Sequence, residues 1–414
     1  MTNFTYRCSQ CGAAYEADQV TYTCPQCGGN LDVLLDYEAL KKEAASWFAQ
    51  TTQREASLWR YLPFLPVGDP GGEGTPLRRA GWTPTYTLPR LAQALGMTRF
   101  WLKDESPNPT ASFKDRASAV VVARAREIGA DVVITASTGN AGAALAGMAA
   151  AVGHKAVILA PKTAPQAKIA QLLVFGAQVV LVDGTYDDAF DLSVAAAEKF
   201  GWYCRNTGYN PFTAEGKKTA AYEIYEQVIR PHGLERLNVF IPVGDGNIIS
   251  GVYKGFWDLH QMGLLETMPR LFGVQAEGSA AIARAWQAGS DEIEPVSAQT
   301  LADSISVDLP RDGWRALRAV RETQGAYLTV PDQAILEAIA EVGKVGVFPE
   351  PAAATAFAGL KAALAQGLIA PDEPTLVLST GSGLKDVGAA MKAVPAAPVV
   401  PPDLDALAKL LAEE

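Results

Sequence analysis

Short, unbroken apolar runs alternate along this chain with helical stretches of small residues, and that alternation restricts its fold more than any other feature. Asp131–Ala136, Lys155–Ala160 and Ala177–Val182 read as strands without a polar face. Ala141–Val152, Pro165–Phe175 and Asp187–Phe200, which follow them in turn, read as helices. Strands with no polar side belong to parallel sheets, because each crossover lays a helix on the sheet and both faces are covered. The pattern resumes at Asn238–Val243, followed by a helix over Ile248–Met262, and again at Arg270–Ala276 and Thr375–Thr380. The expectation is an α/β chain with two three-layer domains built on parallel or mixed sheets. Its ligand chemistry should lie where strand ends meet helix starts.

Four of the five cysteines fall within the first 27 residues, as Cys8-Ser9-Gln10-Cys11 and Cys24-Pro25-Gln26-Cys27. Two such knuckles can offer four thiolates at the corners of a tetrahedron, which suits Zn²⁺. A disulfide pair or four free thiols is the alternative, and a reducing cytoplasm disfavours the disulfide. Tyr15 and Val20–Thr23 look like short strands. With few basic residues beyond Arg7, the segment reads as a structural zinc ribbon rather than a nucleic-acid module. Leu31–Leu35 should lead into the main body, and Cys204 reads as core.

Of the 414 residues, 49% are hydrophobic and 19% charged, enough to build real cores and too apolar for a disordered chain. The net charge of −10 argues against binding a phosphate backbone. No apolar run approaches the roughly 18 residues that span a bilayer. Met1–Cys8 has no charged region followed by an apolar stretch, so a secretory signal is not expected and the cytoplasm is the expected location. The three histidines, His154, His232 and His260, stand outside every glycine turn, so serine-hydrolase and histidine–metal chemistry have no visible partners.

Four segments carry chemistry. Asn108-Pro109-Thr110-Ala111-Ser112-Phe113-Lys114-Asp115-Arg116 precedes a helix reaching about Ile128. Ser112 and Asp115 have capping-box spacing, which puts Lys114 in the first turn. There the helix dipole opposes a cation and favours the free amine, the nucleophile toward an aldehyde. Ser137-Thr138-Gly139-Asn140-Ala141-Gly142 joins a strand to a helix and offers hydroxyls and free N–H groups to a carboxylate. Gly244-Asp245-Gly246-Asn247-Ile248 is a second such turn, shaped for a phosphate, with Asp245 repelling it unless its side chain points away. In Ser379-Thr380-Gly381-Ser382-Gly383, the Thr380 hydroxyl is placed to meet a neutral ring nitrogen. Taken singly, each glycine turn is no more than a strand-to-helix connection.

Together the four segments resemble the pyridoxal-phosphate enzymes of the tryptophan-synthase β-chain type, fold type II, and within them the threonine synthases. The similarity runs from the cysteine knuckles to Asp386, and Asn108–Arg116 is its most specific part. The resemblance implies pyridoxal 5′-phosphate as cofactor, with Lys114 as Schiff-base lysine and general base. Phe113 would lie along the cofactor ring, Asn140 would bond its 3′-oxygen, Gly244, Asp245, Gly246, Asn247 and Ile248 would hold its phosphate, and Thr380 would face its ring nitrogen. Ser137, Thr138 and Ala141 would line the substrate carboxylate site. Leu95, Lys103-Asp104-Glu105, Gly216-Lys217-Lys218-Thr219 and Glu350-Pro351-Ala352 also fit the pattern, and the stretch 302–308 is expected near the substrate mouth. The implied division is a ribbon at 1–36 with Cys8, Cys11, Cys24 and Cys27 on structural Zn²⁺, a large cofactor-binding domain at 37–110 and 208–414, and a small α/β domain at 111–207. The implied assembly is a homodimer acting on a small amino acid, without nucleic acid or membrane.

One departure bears on the substrate. Families that take O-phospho-L-homoserine carry a Ser and an Arg around an Asn-Pro pair to hold the substrate phosphate, and here Gly208 and Thr213 stand in those places. Losing a bidentate guanidinium weakens the case for a phosphorylated substrate unless Lys217, Lys218 or Arg116 compensates. Two other readings follow: a threonine or serine dehydratase, or a zinc-ribbon interaction protein on an enzyme-like body that no longer turns over.

Overall fold

The apolar runs pair as parallel strands and sort into two sheets. In the computed structural model, which describes residues 4–50, 54–137, 139–164 and 166–412, the first three strands form a separate antiparallel ribbon. These are β1 (Phe4–Cys8), β2 (Ala14–Glu16) and β3 (Leu31–Leu35), in the order β2-β1-β3. Next come β4 (Thr85–Tyr86) and β5 (Phe100–Asp104). The run β6 (Val132–Ala136), β7 (Lys155–Pro161), β8 (Gln178–Val182) and β9 (Tyr203–Cys204) makes a four-stranded parallel sheet, ordered β8-β7-β6-β9. Then β10 (Asn238–Pro242), β11 (Arg270–Ala276), β12 (Ala326–Val330) and β13 (Thr375–Ser379) join the earlier pair in a six-stranded sheet, ordered β12-β11-β10-β13-β5-β4. Only the β4–β5 pairing in that sheet is antiparallel, so the sheet is mixed.

Every residue of β6, β10 and β13 is buried, as two covered faces require. β8 departs from its apolar sequence. It is an edge strand, and Val180 and Leu181 stay 40% and 49% exposed. Val20–Thr23 forms no strand; only Thr23 makes an isolated bridge, to Asn30. The Ser112/Asp115 capping box does not form either. The Asp115 carboxylate turns back to accept from the Thr110 N–H (2.6 Å) and hydroxyl, and the helix Lys114–Glu127 starts without a side-chain cap. A short loop closed on itself satisfies Asp115 more fully than one helix N–H would.

In each of the two larger sheets the chain reverses direction of travel across the strand order, β6 against β9 and β10 against β13. Such a reversal leaves a crevice at the strand C-termini. The turns after β6, β10 and β13 are the three glycine turns singled out from the sequence.

Beneath the crevice, the helices Lys114–Glu127, Phe212–Ile224 and Asn247–Gln261 meet almost backbone to backbone. A Cβ on Gly216 would collide with the Arg116 carbonyl, one on Gly255 with the Lys218 carbonyl, and one on Gly251 would stand 2.6 Å from Lys217 Cβ. Packing this tight also buries charge. Arg116 pairs with Glu105 (2.8 Å) and Glu223 (2.5 Å), Lys103 with Glu223 (2.8 Å), and Lys218 with Glu215 (2.5 Å) and Asp258 (2.9 Å). Gly216→Ala should therefore destabilise the protein by about 2 kcal/mol, the cost of overpacking a rigid contact. Urea unfolding of the variant measures this, and an unchanged midpoint would contradict the helix contact.

Candidate active site

Lys114 is the first residue of its helix, and Ala111, three residues earlier, turns the chain with φ = 63°. That conformation costs an L-residue about 1 kcal/mol. It is held by a two-way clasp to the turn after β13: Phe113 N–H donates to the Thr380 carbonyl (2.9 Å) and Ser382 N–H to the Ala111 carbonyl (3.1 Å). The clasp carries Lys114 to the end of β13. Among the described residues its amine donates to no acceptor. Burial pulls its pKa down to about 8 from 10.5, opposed by Glu350, assisted by Arg205 and opposed again by Asp245. The dipole argument from sequence thus reaches the right direction, but desolvation is the larger cause.

The turn after β10 needs both of its glycines. Gly246 sits at φ = +92°, with a Cβ position 2.7 Å from the Asp312 carbonyl, and a Cβ on Gly244 would stand 2.8 Å from Ile305 Cα. The helix Asn247–Gln261 starts there, so its first N–H groups face the turn. The Asp245 carboxylate accepts from the Arg311 N–H at 3.0 Å, and burial pushes its pKa up. Asn247 also turns its side chain aside. Its Oδ1 accepts from Lys217 Nζ and its Nδ2 donates to Asp312 (2.6 Å), leaving its backbone N–H for a ligand.

Across the crevice, the turn after β6 starts the helix Asn140–Ala151. Ser137 is buried and accepts from the Gly139 N–H (3.2 Å), and Ala141 is the second residue of the same helix. Thr138 lies outside the described residues. Asn140 Nδ2 donates to both oxygens of Glu350 at 2.9 Å, and the Ser304 hydroxyl reaches the same carboxylate at 3.3 Å. The stretch 302–308 therefore does border the site, through Ser304. Burial raises the Glu350 pKa, while its neighbours Asn140 and Lys114 lower it. At the end of β13, Thr380 is buried and its hydroxyl is unbonded among the described residues, and the adjacent Ser379 Oγ is a buried atom without a partner. Phe113 is fully buried in the large-sheet core, with the Arg116 guanidinium 5.5 Å from its ring.

The structure thus brings Lys114, Asn140, Thr380 and the Gly244–Ile248 turn to one crevice. It adds three groups to which the sequence reading gave no role: Glu350, Ser304 and Arg205. Glu350-Pro351 signals only a helix start, with Pro in the first turn, and nothing in its spacing predicts a carboxylate facing an amine.

A family of pyridoxal-phosphate dependent enzymes matches residues 77–381. A threonine synthase of Methanocaldococcus jannaschii is 37% identical over 410 residues, covering 98% of this chain and 99% of that one. A threonine synthase of Methanosarcina acetivorans is 35% identical over 405 residues, covering 97% of each. The processed form of threonine deaminase isoform 2 from Solanum lycopersicum superimposes with a TM-score of 0.64 at 24% identity, over 83% of this chain and 94% of that chain, which shows the shared fold. An unpaired, half-buried amine at one helix start and a glycine cradle at another, on this two-sheet framework and with the family match over 77–381, place the chain among the pyridoxal-phosphate enzymes of fold type II. Within that class, the chain belongs to the threonine synthase family.

The free-amine fraction of Lys114 should rise through about pH 8. Reductive methylation of cofactor-free protein across pH 6–11, read by peptide mass spectrometry, is expected to show a midpoint there. A midpoint near 10.5 would mean that burial does not depress this amine.

Proposed function

We propose that this chain converts O-phospho-L-homoserine and water into L-threonine and phosphate, using pyridoxal 5′-phosphate in the crevice. The observation that carries the reading is the unbonded Lys114 amine, in a segment clasped to the turn at Thr380 and under the electrostatic influence of Asp245 in the Gly244–Ile248 cradle. When bound, the cofactor supplies an electron-accepting ring that stabilises negative charge on the amino acid.

The chain's own residues supply the rest. Gly244, Gly246 and the N–H groups of Asn247 and Ile248 take the cofactor phosphate, with Lys217 adding charge. Thr380 meets the ring nitrogen as a neutral partner, Asn140 the 3′-oxygen, and Phe113 stiffens the segment beside the ring. Ser137, Ala141 and the start of the helix Asn140–Ala151 hold the substrate carboxylate, together with Thr138. Lys114 takes the α-proton. Glu350, whose proton affinity is pushed toward that of Lys114, holds or returns a proton at the same face. Loss of a β-proton, departure of phosphate from the γ-carbon and addition of water at the β-carbon complete the conversion.

Loss of the arginine at position 213 favours a second reading, a threonine or serine dehydratase releasing a keto acid. Offering O-phospho-L-homoserine, L-threonine and L-serine separately decides between them. Phosphate and threonine from the first substrate are expected, and keto acid from the other two alone would establish the dehydratase. Lys114→Ala should lose borohydride-fixed cofactor label and at least about 10³-fold in turnover, the scale of removing a general base together with cofactor anchoring. A variant keeping both would overturn the assignment of Lys114, whereas wild-type protein that takes up no pyridoxal phosphate would leave the interaction-protein reading standing.

The ribbon fits a structural Zn²⁺. The sulfurs of Cys8, Cys11, Cys24 and Cys27 all lie within 4.8 Å of one another, with Cys8–Cys27 at 3.4 Å and Cys11–Cys24 at 3.6 Å. Tetrahedral Zn–S bonds of 2.3 Å put sulfurs about 3.8 Å apart, whereas a disulfide would need about 2.05 Å. The ribbon leans on the site: Tyr22 Oη accepts from Cys204 N–H (2.8 Å), Asn30 Nδ2 donates to the Gly208 and Arg311 carbonyls, and Trp314 Nε1 donates to Ser9 O (2.8 Å). Cys24→Ser should therefore speed amide exchange over 203–212 and 311–318 while leaving β11 and β13 protected. Unchanged exchange would make the ribbon an independent appendage. The division at 1–36, 111–207 and the remainder, a homodimer and a cytoplasmic location complete the proposal. No helix among the described residues is long and apolar enough to cross a membrane. Light scattering at twice the chain mass tests the dimer.

A further inference from the structure

Three cations were available to replace the missing arginine, and two of them are already committed. Arg116 lies between Glu105 and Glu223, and Lys218 between Glu215 and Asp258. Lys217 donates to Asn247 in the cofactor-phosphate turn, so its charge belongs to that anion. Thr213 itself is fully buried, its hydroxyl spent on the Asn210 carbonyl at 2.7 Å.

Arg205 is different. It follows β9 directly, and its N–H donates to the Ile134 carbonyl of β6 (2.8 Å), next to the turn proposed for the substrate carboxylate. Its side chain is fully buried, yet no carboxylate lies within 4.0 Å among the described residues. Nη1 donates to the Thr207 hydroxyl (2.6 Å) and Nε to the Ser118 hydroxyl (3.3 Å), while Nη2 is a buried atom with no partner. Ser118 lies one helical turn after Lys114 on the same face, so the guanidinium is anchored below the amine. Its proximity also shows electrostatically, since its charge is one of the influences that lower the Lys114 pKa. A buried guanidinium with no counter-charge is expensive to keep unless an anion arrives to pair with it.

We propose that Arg205 is the guanidinium that grips the phosphate of the substrate, doing from the end of β9 what an arginine at position 213 does in the family pattern. The site then takes an amino acid with an anionic phosphoryl group on its side chain. Two hydroxyls fix the planar fork and leave Nη2 for the phosphate oxygens. The assignment rests on the threonine synthase reading, and the test separates the two.

Binding of L-2-amino-5-phosphonopentanoate, a non-reacting phosphonate, and of L-norvaline, its apolar counterpart, is followed by the change in cofactor absorbance of the holoenzyme. In Arg205→Leu the phosphonate should bind about 100-fold more weakly, the scale of a lost charge-assisted pair, with norvaline and cofactor content unchanged. Arg205→Lys, which keeps charge and bulk, should lose about 10-fold for the phosphonate alone. It serves as the decisive variant if the leucine protein fails to fold. Introducing Thr213→Arg into the Arg205→Leu variant should restore phosphonate binding. Equal weakening of both ligands would make Arg205 merely structural, and loss of cofactor with an unchanged phosphonate-to-norvaline ratio would assign it to the cofactor's own phosphate. Either result overturns the proposal. If wild-type protein releases no phosphate from O-phospho-L-homoserine, the functional reading fails, while the two-ligand comparison still decides whether Arg205 holds a phosphoryl group.

Discussion

The close approach of three helix backbones through Gly216, Gly251 and Gly255 sets the terms for the rest of the molecule. Helices this close leave no room for water, so every charged side chain between them must find a partner or bear its desolvation. Lys103, Arg116, Lys218 and Lys254 are paired with Glu105, Glu215, Glu223 and Asp258. Lys114, Lys217 and Arg205 have no carboxylate within pairing distance among the described residues, and burial works against the charge of each. The same packing thus yields two populations of cation. One is neutralised within the fold; the other has no carboxylate to pair with among the described residues.

The ribbon enters this arrangement through a chain of contacts rather than through chemistry of its own. Asp32 of β3 meets Arg315 at 3.3 Å, Arg315 pairs with Asp312 at 2.6 Å, Asp312 accepts from Asn247 at 2.6 Å, and Asn247 accepts from Lys217. Asn30 meanwhile reaches the Gly208 carbonyl in the loop that follows Arg205. A three-stranded sheet of such short strands buries little surface unaided, and its four cysteine sulfurs gather within 4.8 Å of one another. These contacts reach the loop after Arg205 and, through Asp312 and Asn247, the side chain of Lys217.

Much of this was legible in the sequence because period and punctuation are local. Continuous apolar runs reported parallel strands, and a glycine turn after each of β6, β10 and β13 marked the crevice. The four-cysteine spacing placed the sulfurs together. What could not be read is what depends on distant pairing. The edge position of β8 is set by sheet order, not by its own residues. The capping box at Ser112 and Asp115 satisfied a spacing rule, but the loop Thr110–Asp115 offered the carboxylate two donors instead of one. Glu350 and Arg205 lie 236 and 91 positions from Lys114 in the sequence, counting 350 − 114 and 205 − 114, and only the fold carries them to the same amine.

The absence of an arginine at position 213 therefore has a different meaning in the fold than in the sequence. Read along the chain, it removes the group that grips a phosphorylated substrate. Read in space, Thr213 and Lys217 occupy successive turns of one face of the helix Phe212–Ile224, and Lys217 already reaches Asn247 in the glycine turn after β10. A second long cation at position 213 would crowd like charge on that face beside the buried Arg205. A short hydroxyl bonded to Asn210 avoids that repulsion and leaves the β9 side of the crevice to the guanidinium. Position 213 and position 205 are then alternative origins for one charge, and a pocket served by either has the same requirement: an amino acid whose side chain ends in an anion.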